Sequence, residues 1–272
     1  MNDEIILITG STDGIGKQTA IDLSKMGAHV IIHGRDKNRT QNTVYEIQDM
    51  TGNMHIDHFT ADFTSMEDIR KMSKNIHDKY HHIDILINNA GIYSKDRILS
   101  KDGYEITFQV NHLAMFLLTN LLLDLIKKSS YKRIINVSSM VHSKNINLDN
   151  LQGEIKYDGY EAYSLSKLCN ILFTYELAKV LKNSYITANC LHPGVIATKL
   201  LHAAWNYGGA PINEGSKTAV YLAIAEEVRD ITGKYFVNKN QTKSADITYN
   251  KEIRKILWDL SMKYCNIDDT IK

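Results

Sequence analysis

Short apolar runs alternate along the chain with longer segments in which apolar residues recur every three or four positions. Runs of the first kind predict β-strands, and the longer segments predict amphipathic helices. The predicted strands cover residues 5–9, 29–33, 55–60, 83–88, 133–137, 186–191 and 235–237. The first two helices are predicted at 15–26 and 38–50, and further helices fill the remaining gaps. This alternation predicts βαβ units and a parallel sheet.

The predicted sheet is buried on both faces. The segment 83–87 is apolar at nearly every position, as expected where helices cover both sides of a parallel sheet. We therefore predict an α/β fold with an open, doubly wound parallel sheet of about seven strands and helices on both faces. Prolines occur only at Pro193 and Pro211, and no Gly/Ser tract interrupts the chain. Residues 1–272 are therefore predicted to form a single domain.

The composition disfavours several classes of function. A net charge of +1 over 272 residues, with basic and acidic residues interleaved, gives no electrostatic footprint for nucleic acid or an acidic membrane. The cysteines are odd in number and widely separated, at Cys169, Cys190 and Cys265. They lack the spacing of a zinc site or a disulfide framework. We expect reduced thiols, no metal and a cytoplasmic protein.

Nothing in the sequence predicts a membrane span or a signal peptide. No apolar stretch reaches about 18 residues, and the N-terminal apolar run lacks a basic flank. The longest candidate, 113–126, is interrupted by Thr119, Asn120 and Asp124. It is predicted to be a buried helix.

Tyr163 and Lys167 lie four residues apart in a predicted helix, so their side chains share one face. A free phenol has a pKa of about 10 and stays protonated at neutral pH unless its phenolate is stabilised. An ammonium roughly 5 Å away supplies on the order of 3 kcal/mol at an effective dielectric near 20. The pair is a candidate proton donor, although most such pairs are only surface neighbours.

A glycine-rich turn follows the first predicted strand directly, and a helix begins within it. Glycines let the backbone approach a pyrophosphate, and the free N–H groups at the helix start favour an anion. The turn predicts a dinucleotide site formed by Gly10, Ser11, Thr12, Asp13, Gly14, Ile15 and Gly16.

The end of the second strand indicates which dinucleotide is bound. An NAD site places Asp or Glu there, whereas this chain has Gly34 followed by Arg35. A guanidinium can bind a 2′-phosphate through two hydrogen bonds, so NADP is preferred over NAD. Asp36 would repel that phosphate if it pointed inward, and the nearby Lys17, Lys37 and Arg39 are expected to be mainly solvated.

Several motifs, in order, resemble the short-chain dehydrogenase/reductase family, in its single-domain Rossmann-type branch with T-G-x-x-x-G-x-G and Y-x-x-x-K. The resemblance covers residues 4–200 and includes Asn88-Asn89-Ala90-Gly91 and the Pro193-to-Thr198 loop. It implies a catalytic set of Asn111, Ser139, Tyr163 and Lys167. Besides the glycine turn and Arg35, it implies cofactor contacts from Asp62, Phe63, Asn89, Ala90, Gly91, Tyr163, Lys167, Pro193, Gly194, Val195 and Thr198.

The resemblance implies a function as an NADP(H)-dependent oxidoreductase that interconverts a carbonyl compound and an alcohol. Tyr163 would exchange the proton and Ser139 would hold the substrate oxygen. Lys167 would bind the nicotinamide ribose and lower the tyrosine pKa, while Asn111 would fix a water. The alternatives are strand-end capping for Ser139 and a structural amide for Asn111.

The details most resemble the retinol-dehydrogenase-like subgroup, whose animal members often carry an N-terminal membrane anchor that we do not expect here. The gap of 24 residues between Ser139 and Tyr163 (163 − 139) predicts an insertion at 141–161, either a flap or an inert loop. Residues 199–212 contain Leu200, Leu201, Trp205 and Tyr207. They predict a lid over an apolar substrate or a plain packing helix.

Other parts of the chain bear on assembly. The segment 251–264 predicts an amphipathic helix that covers the core or a subunit contact. The resemblance implies a homodimer or homotetramer that pairs through the helices following Asn111 and carrying Tyr163. His81, His82 and His192 lack ligand spacing and are interpreted as structural or surface residues.

Two rival functions are weighed. A regulatory protein could bind NADP(H) and sense its redox state without turnover, but such a protein would not need an intact tyrosine and lysine. A sugar-nucleotide epimerase also uses Y-x-x-x-K, but it usually has a larger C-terminal substrate domain than the tail after Thr198 allows.

Overall fold

A computed structural model describes residues 4–205 and 208–267. Within these ranges one eight-stranded sheet has the order β3-β2-β1-β4-β5-β6-β7-β8. The strands are β1 (Ile5–Ile8), β2 (His29–Gly34), β3 (Ile56–Thr60), β4 (Ile85–Asn88), β5 (Arg133–Val137), β6 (Thr187–His192), β7 (Tyr235–Val237) and β8 (Asn240–Thr242). The parallel pairing of the first seven confirms the predicted doubly wound sheet.

The eighth strand was not predicted. β8 is three residues long, polar and exposed, so it carries none of the apolar alternation that marks a strand. It pairs antiparallel with β7. Asn238 and Lys239 connect the two strands and both have positive φ, at 48° and 65°, which fits a two-residue hairpin turn.

Nine α-helical segments accompany the sheet within the described ranges. They are α1 (Gly14–Lys25), α2 (Lys37–Thr51), α3 (Met66–Lys79), α4 (Ile106–Phe108), α5 (Ala114–Lys127), α6 (Gly159–Val180), α7 (Lys199–Trp205), α8 (Ile212–Ile224) and α9 (Lys251–Tyr264). A π-helical segment, Gln109–Leu113, joins α4 to α5. Ser65 caps α3, with its hydroxyl accepting a hydrogen bond from the Asp68 N–H at 3.2 Å.

The core lies in two layers, one on each face of the sheet. Successive side chains of a strand point to opposite faces, so Ile6 and Ile8 of β1 join the layer formed with α1, α2 and α8. Leu7 joins the other layer, formed with α3, α5 and α6. The switch in strand order between β1 and β4 opens a crevice at their carboxyl ends.

The helical stretch Ile106–Lys127 is long and apolar enough to cross a membrane, but 83% of its most apolar window is buried inside the protein. Phe116 and Leu122 on it are fully buried. This packing agrees with the predicted buried helix.

The C-terminal helix α9 covers the helices through which we expected copies of the chain to pair. Trp258 packs on Phe116 of α5 and on Phe173 of α6, with ring centroids 5.1 and 5.8 Å away. Ser261 shares a 2.8 Å hydrogen bond with His112, and Leu257 is 1% exposed. These contacts show that α9 covers part of α5 and α6, and the expected pairing of copies through these helices stays a prediction.

Candidate active site

The glycine-rich turn lies directly against the end of β4. Gly10 has a φ of +62°, and a Cβ there would lie 2.8 Å from the Cα of Ala90. The same close packing holds at Gly16, where a Cβ would lie 2.4 Å from the amide nitrogen of Asn89. The Asn89 amide donates to the carbonyls of Thr9 and Gly10 at 2.9 and 3.1 Å. The first turn of α1 is thus held open toward the crevice.

Ser11 does not line the cavity, although the motif predicted a cofactor contact for it. Its hydroxyl donates to the Ile8 carbonyl at 2.7 Å and accepts from the His33 N–H at 3.0 Å. The side chain is fully buried, and it is absent from the cavity wall formed by Gly10 and Thr12. Ser11 therefore fastens the turn to β2.

His33 was missed by the sequence reasoning. Its Nδ1 accepts from the Gly10 N–H at 3.1 Å, its Nε2 lies 3.2 Å from the Ala61 carbonyl, and its ring stacks on Phe63 with centroids 4.2 Å apart. Burial lowers the pKa of His33 to about 4 despite the hydrogen bond to Ala61, so the ring is neutral. The available clue was a polar residue inside an apolar strand, directly before Gly34.

The predicted phosphate-binding residue is placed in the crevice. Arg35 is exposed and lines the cavity at the end of β2. The carboxylate of Asp36 accepts from the Arg39 N–H at 2.7 Å and caps α2. The carboxylate is thus held at the start of α2.

Lys17, Arg39 and Lys199, which lie on the same side of the molecule as Arg35, form ion pairs. Lys17 pairs with Glu46. Arg39 and Lys199 each contact Asp13 at 2.7 Å. Burial opposes ionisation of Asp13, but the hydrogen bonds from Lys199, Gly14 and Arg39 outweigh it and lower the carboxyl pKa.

Asp62 lies on the same side of the crevice, after β3. Burial opposes its ionisation, but hydrogen bonds from Thr64 and Lys101 lower the pKa of the carboxyl. The Thr64 N–H donates at 3.0 Å, and the Lys101 ammonium lies 3.0 Å away.

Tyr163 and Lys167 lie on α6 as predicted, with the lysine Nζ 5.5 Å from the centre of the phenol ring. Both are buried, at 6% and 3% exposure. Burial lowers the pKa of Lys167 to about 8. Its Nζ donates to the Val137 carbonyl at 3.3 Å.

The expected lowering of the tyrosine pKa by Lys167 is not produced by the protein's own groups. Burial raises the pKa of Tyr163, and only the hydrogen bond with the Ser139 hydroxyl acts in the opposite direction. We expected the ammonium to dominate the pKa of the phenol. Burial of a phenolate costs free energy, however, and this cost raises the pKa.

Ser139 follows the end of β5, and its hydroxyl also accepts from the Val141 N–H at 3.3 Å. Asn111 lies in the π-helical segment. Its carbonyl oxygen accepts from the Ile92 N–H at 2.7 Å, and its amide nitrogen donates to the Ile92 carbonyl and to Ser166. Asn111 is 1% exposed, and these hydrogen bonds tie its segment to Ile92 and to α6. Its expected role in fixing a water stays a prediction.

Segments from the second half of the chain close the other end of the crevice. The Pro193-to-Thr198 loop leads into α7, whose Leu201 N–H donates to the Thr198 hydroxyl at 3.2 Å. The Trp205 ring lies 5.6 Å from Tyr163, 6.1 Å from Tyr160 and 6.2 Å from Tyr93, between centroids.

The predicted lid is partly within the described residues. Leu200, Leu201 and Trp205 line the cavity, whereas Tyr207 lies outside the described residues. Gly209 permits close packing: a Cβ there would lie 2.7 Å from the Ala197 nitrogen. The Ala197 N–H donates to the Ala210 carbonyl at 2.9 Å, so the end of this segment is fastened to the loop before α7.

The 141–161 insertion packs along the rim. The Tyr157 hydroxyl donates to the Ser94 carbonyl at 3.0 Å, and Arg97 donates to the Gln152 carbonyl at 2.8 Å. Val141 lines the cavity. These contacts fix the insertion to the segment after β4.

One cavity of about 470 Å³ joins most of these groups. We call the wall formed by residues 10, 12–16, 33–35, 61–64 and 89–91 the cofactor half, and the wall formed by residues 137–141, 163, 167, 192–196, 198–201 and 205 the substrate half. Of the predicted site residues, the cavity is lined by Gly10, Thr12, Asp13, Gly14, Ile15, Gly16, Arg35, Asp62, Phe63, Asn89, Ala90, Gly91, Ser139, Tyr163, Lys167, Pro193, Gly194, Val195 and Thr198. His192, interpreted as structural or surface, also lines it.

Comparison with known proteins gives consistent matches. The family model of short chain dehydrogenases matches residues 4–206. Retinol dehydrogenase 13 of Homo sapiens is 37% identical, over 97% of this chain and 85% of that protein. Polyprenol dehydrogenase of Homo sapiens is 35% identical, over 98% and 86%. A structure described as a short chain dehydrogenase from Escherichia coli CFT073 complexed with NADPH is 26% identical with a TM-score of 0.74, over 88% of this chain and 98% of that one.

Proposed function

The chain belongs to the short chain dehydrogenase family, in its retinol-dehydrogenase-like subgroup, and from that premise we propose that it is an NADP(H)-dependent enzyme interconverting an apolar carbonyl compound and its alcohol. The observation that carries this proposal is the single cavity. It joins a glycine-rich helix start and Arg35 to the hydroxyls of Ser139 and Tyr163. An oxidoreductase needs a cofactor site and a proton donor side by side.

The cofactor half fits a dinucleotide. The backbone of Gly10 is pressed so close to Ala90 that a side chain would not fit, which leaves the crevice free for a pyrophosphate at the start of α1. Helix N-termini have N–H groups without intrahelical partners and a positive dipole end, and both favour phosphate. Asp62, Asn89 and the Pro193-to-Thr198 loop would hold the adenosine and nicotinamide ends. When bound, the nicotinamide supplies or accepts the hydride.

Arg35 supports NADP over NAD. An exposed guanidinium at the end of β2 can form two charge-assisted hydrogen bonds with a 2′-phosphate. The neighbouring Asp36 carboxylate caps the start of α2. The similar Escherichia coli protein is described as complexed with NADPH, which is consistent with this preference.

The chain's own residues supply the proton and hold the substrate. In the direction of reduction, the carbonyl carbon gains a hydride while Tyr163 transfers its hydroxyl proton to the carbonyl oxygen, which gives the alcohol. Ser139 donates a hydrogen bond to that oxygen. Lys167, with its pKa lowered by burial to about 8, would bind the nicotinamide ribose. Oxidation reverses these steps.

The substrate half supports an apolar substrate. Trp205, Leu201 and Tyr163 line it, and an apolar wall with few polar groups selects an apolar ligand oriented by its reacting oxygen. The names of two similar proteins, retinol dehydrogenase and polyprenol dehydrogenase, refer to apolar alcohols. We extend only the shared chemistry, an apolar alcohol or carbonyl group, to this chain.

The test is oxidation of NADPH by the purified protein against a panel of apolar aldehydes, ketones and quinones, with NADH in parallel. We expect turnover with at least one aldehyde or ketone and a clear preference for NADPH. Equal use of NADH would overturn the argument from Arg35. Tight NADPH binding without turnover across the panel would favour the redox-sensing alternative.

A further inference from the structure

An imidazole outside the predicted site lies directly behind Ser139. His142 Nδ1 lies 2.6 Å from the Ser139 carbonyl oxygen, and its Nε2 accepts from the Ala245 N–H at 3.1 Å. A backbone N–H can only donate and a carbonyl can only accept. The two contacts together therefore require a neutral ring with its proton on Nδ1.

The bridge connects distant parts of the chain. Ser139 lies two residues after β5, whereas Ala245 lies in the segment between β8 and α9 and is 103 residues from His142. That segment is itself anchored. The buried Ser244 hydroxyl is 2.8 Å from the Tyr175 hydroxyl on α6 and 2.7 Å from the hydroxyl of Thr248. His142 thus fastens the backbone of Ser139 to a fixed point outside the cavity.

The surroundings keep the ring neutral. The edge of the His142 ring meets Tyr235 of β7, with centroids 5.4 Å apart. Burial lowers the pKa of His142. Burial and the nearby His142 lower the pKa of His192, on β6, to about 4. Two charged residues lie near Ala245 in the chain, Lys243 and Asp246. They form an ion pair with each other at 2.9 Å, so neither adds an unpaired charge beside the hydrogen bond between His142 and Ala245.

We propose that His142 is a positioning residue for the reaction, which holds Ser139 against the C-terminal segment so that its hydroxyl meets Tyr163 and the substrate oxygen in one geometry. This inference rests on the proposed function. Protonation of Nε2 would place two donors face to face at Ala245 and break the bridge. Activity should therefore fall at acid pH together with the loss of this hydrogen bond.

Three variants test the two hydrogen bonds of His142, to Ser139 and to Ala245. H142A removes both hydrogen bonds. H142N keeps a side-chain amide that can donate to the Ser139 carbonyl but is too short to reach Ala245. H81A removes an exposed imidazole and is the control. We expect kcat to fall about tenfold or more in H142A, since small displacements of a reacting group are costly. H142N, which keeps only the contact with Ser139, should be almost as slow, and wild-type kcat in H142N would contradict a role for the Ala245 bridge. NADPH affinity and KM should change little.

A second measurement tests the hydrogen bonds of His142 without depending on enzyme activity. NMR of ¹⁵N-histidine-labelled wild type should show His142 as the Nδ1–H tautomer at neutral pH, and the Ala245 amide should exchange faster in H142A. A different tautomer, or wild-type kcat and an unchanged acid limb of the pH profile in H142A, would overturn the inference. Failure of the proposed function is seen separately, as NADPH binding without turnover by the wild type, and it too would remove the positioning role.

Discussion

The cofactor half and the substrate half of the cavity are built in different ways. The cofactor half is formed by strand ends and backbone, with glycines pressed against neighbouring strands, as at Gly10 beside Ala90. The substrate half is formed by side chains such as Trp205, which come from segments outside the sheet. Under the proposed function, backbone geometry would fix how the cofactor binds, whereas side chains carried by loops would select the substrate.

The largest expected effect separates chemistry from binding. Tyr163→Phe removes the proton that the carbonyl oxygen receives, and general acid catalysis is worth about 10²–10⁴-fold in rate. We expect kcat to fall within that range while NADPH affinity, measured by fluorescence titration, stays unchanged. The matched control is Tyr160→Phe, on the first turn of the same helix and half exposed. Wild-type turnover in Tyr163→Phe would remove the tyrosine from the mechanism.

Arg35→Ala tests the cofactor half by charge. A hydrogen-bonded contact to a charged group is worth about 1.5–3 kcal/mol, so NADPH should bind about 10- to 100-fold more weakly. NADH, which lacks the 2′-phosphate, should bind as before. Lys37→Ala, an exposed cation two residues further on, is the control. A parallel loss for both cofactors would contradict the assignment.

Gly10→Ala tests whether the glycine-rich turn of the cofactor half has room for a side chain. Gly10 and Gly52 both have positive φ, at +62° and +70°, but a Cβ at Gly52 meets nothing within 4 Å. Gly52→Ala should therefore lose only the roughly 1 kcal/mol of left-handed strain. Gly10→Ala should lose a further 1–3 kcal/mol, roughly the cost of overpacking, and much of its NADPH affinity. Urea unfolding measures the difference, and equal losses would show that the turn tolerates a side chain.

The smallest effect concerns the buried lysine. Burial lowers the pKa of Lys167 from 10.5 to about 8, so between these values the unfolded chain binds a proton that the folded chain does not. The free energy of unfolding should therefore gain a contribution as pH rises through this window. Lys167→Met should lose this dependence and be more stable at neutral pH by on the order of 2 kcal/mol. Urea unfolding of the cofactor-free proteins at about pH 7 and about pH 9.5 tests this. Identical pH slopes for both proteins would contradict it.

The sequence predicted the parts of the molecule that repeat a local pattern. The seven parallel strands follow from apolar runs, and the glycine turn from its residues between a strand and a helix. β8 escaped because it is polar and exposed. Ser11 was assigned to the cofactor although its hydroxyl bonds Ile8, since a motif does not show which way a side chain turns.

Contacts between distant segments were out of reach of sequence reasoning. Nothing near His33 indicates that its ring receives the Gly10 N–H. The bridge from His142 to Ala245 spans 103 residues. The cover of α9 over Phe116 and Phe173 likewise depends on tertiary packing, which an amphipathic pattern predicts only as an apolar face that must be buried.

The proposed reaction is hydride transfer between a nicotinamide in the cofactor half and a carbonyl carbon in the substrate half. The most direct measurement uses NADPH carrying deuterium at both C4 positions, with mass spectrometry of the alcohol formed from a carbonyl compound that the wild type reduces. We expect the alcohol formed by the wild type to carry one deuterium on the former carbonyl carbon. The Tyr163→Phe variant should form far less of this alcohol. An unlabelled alcohol, or stoichiometric NADPH binding with no alcohol formed across the panel, would contradict the claim.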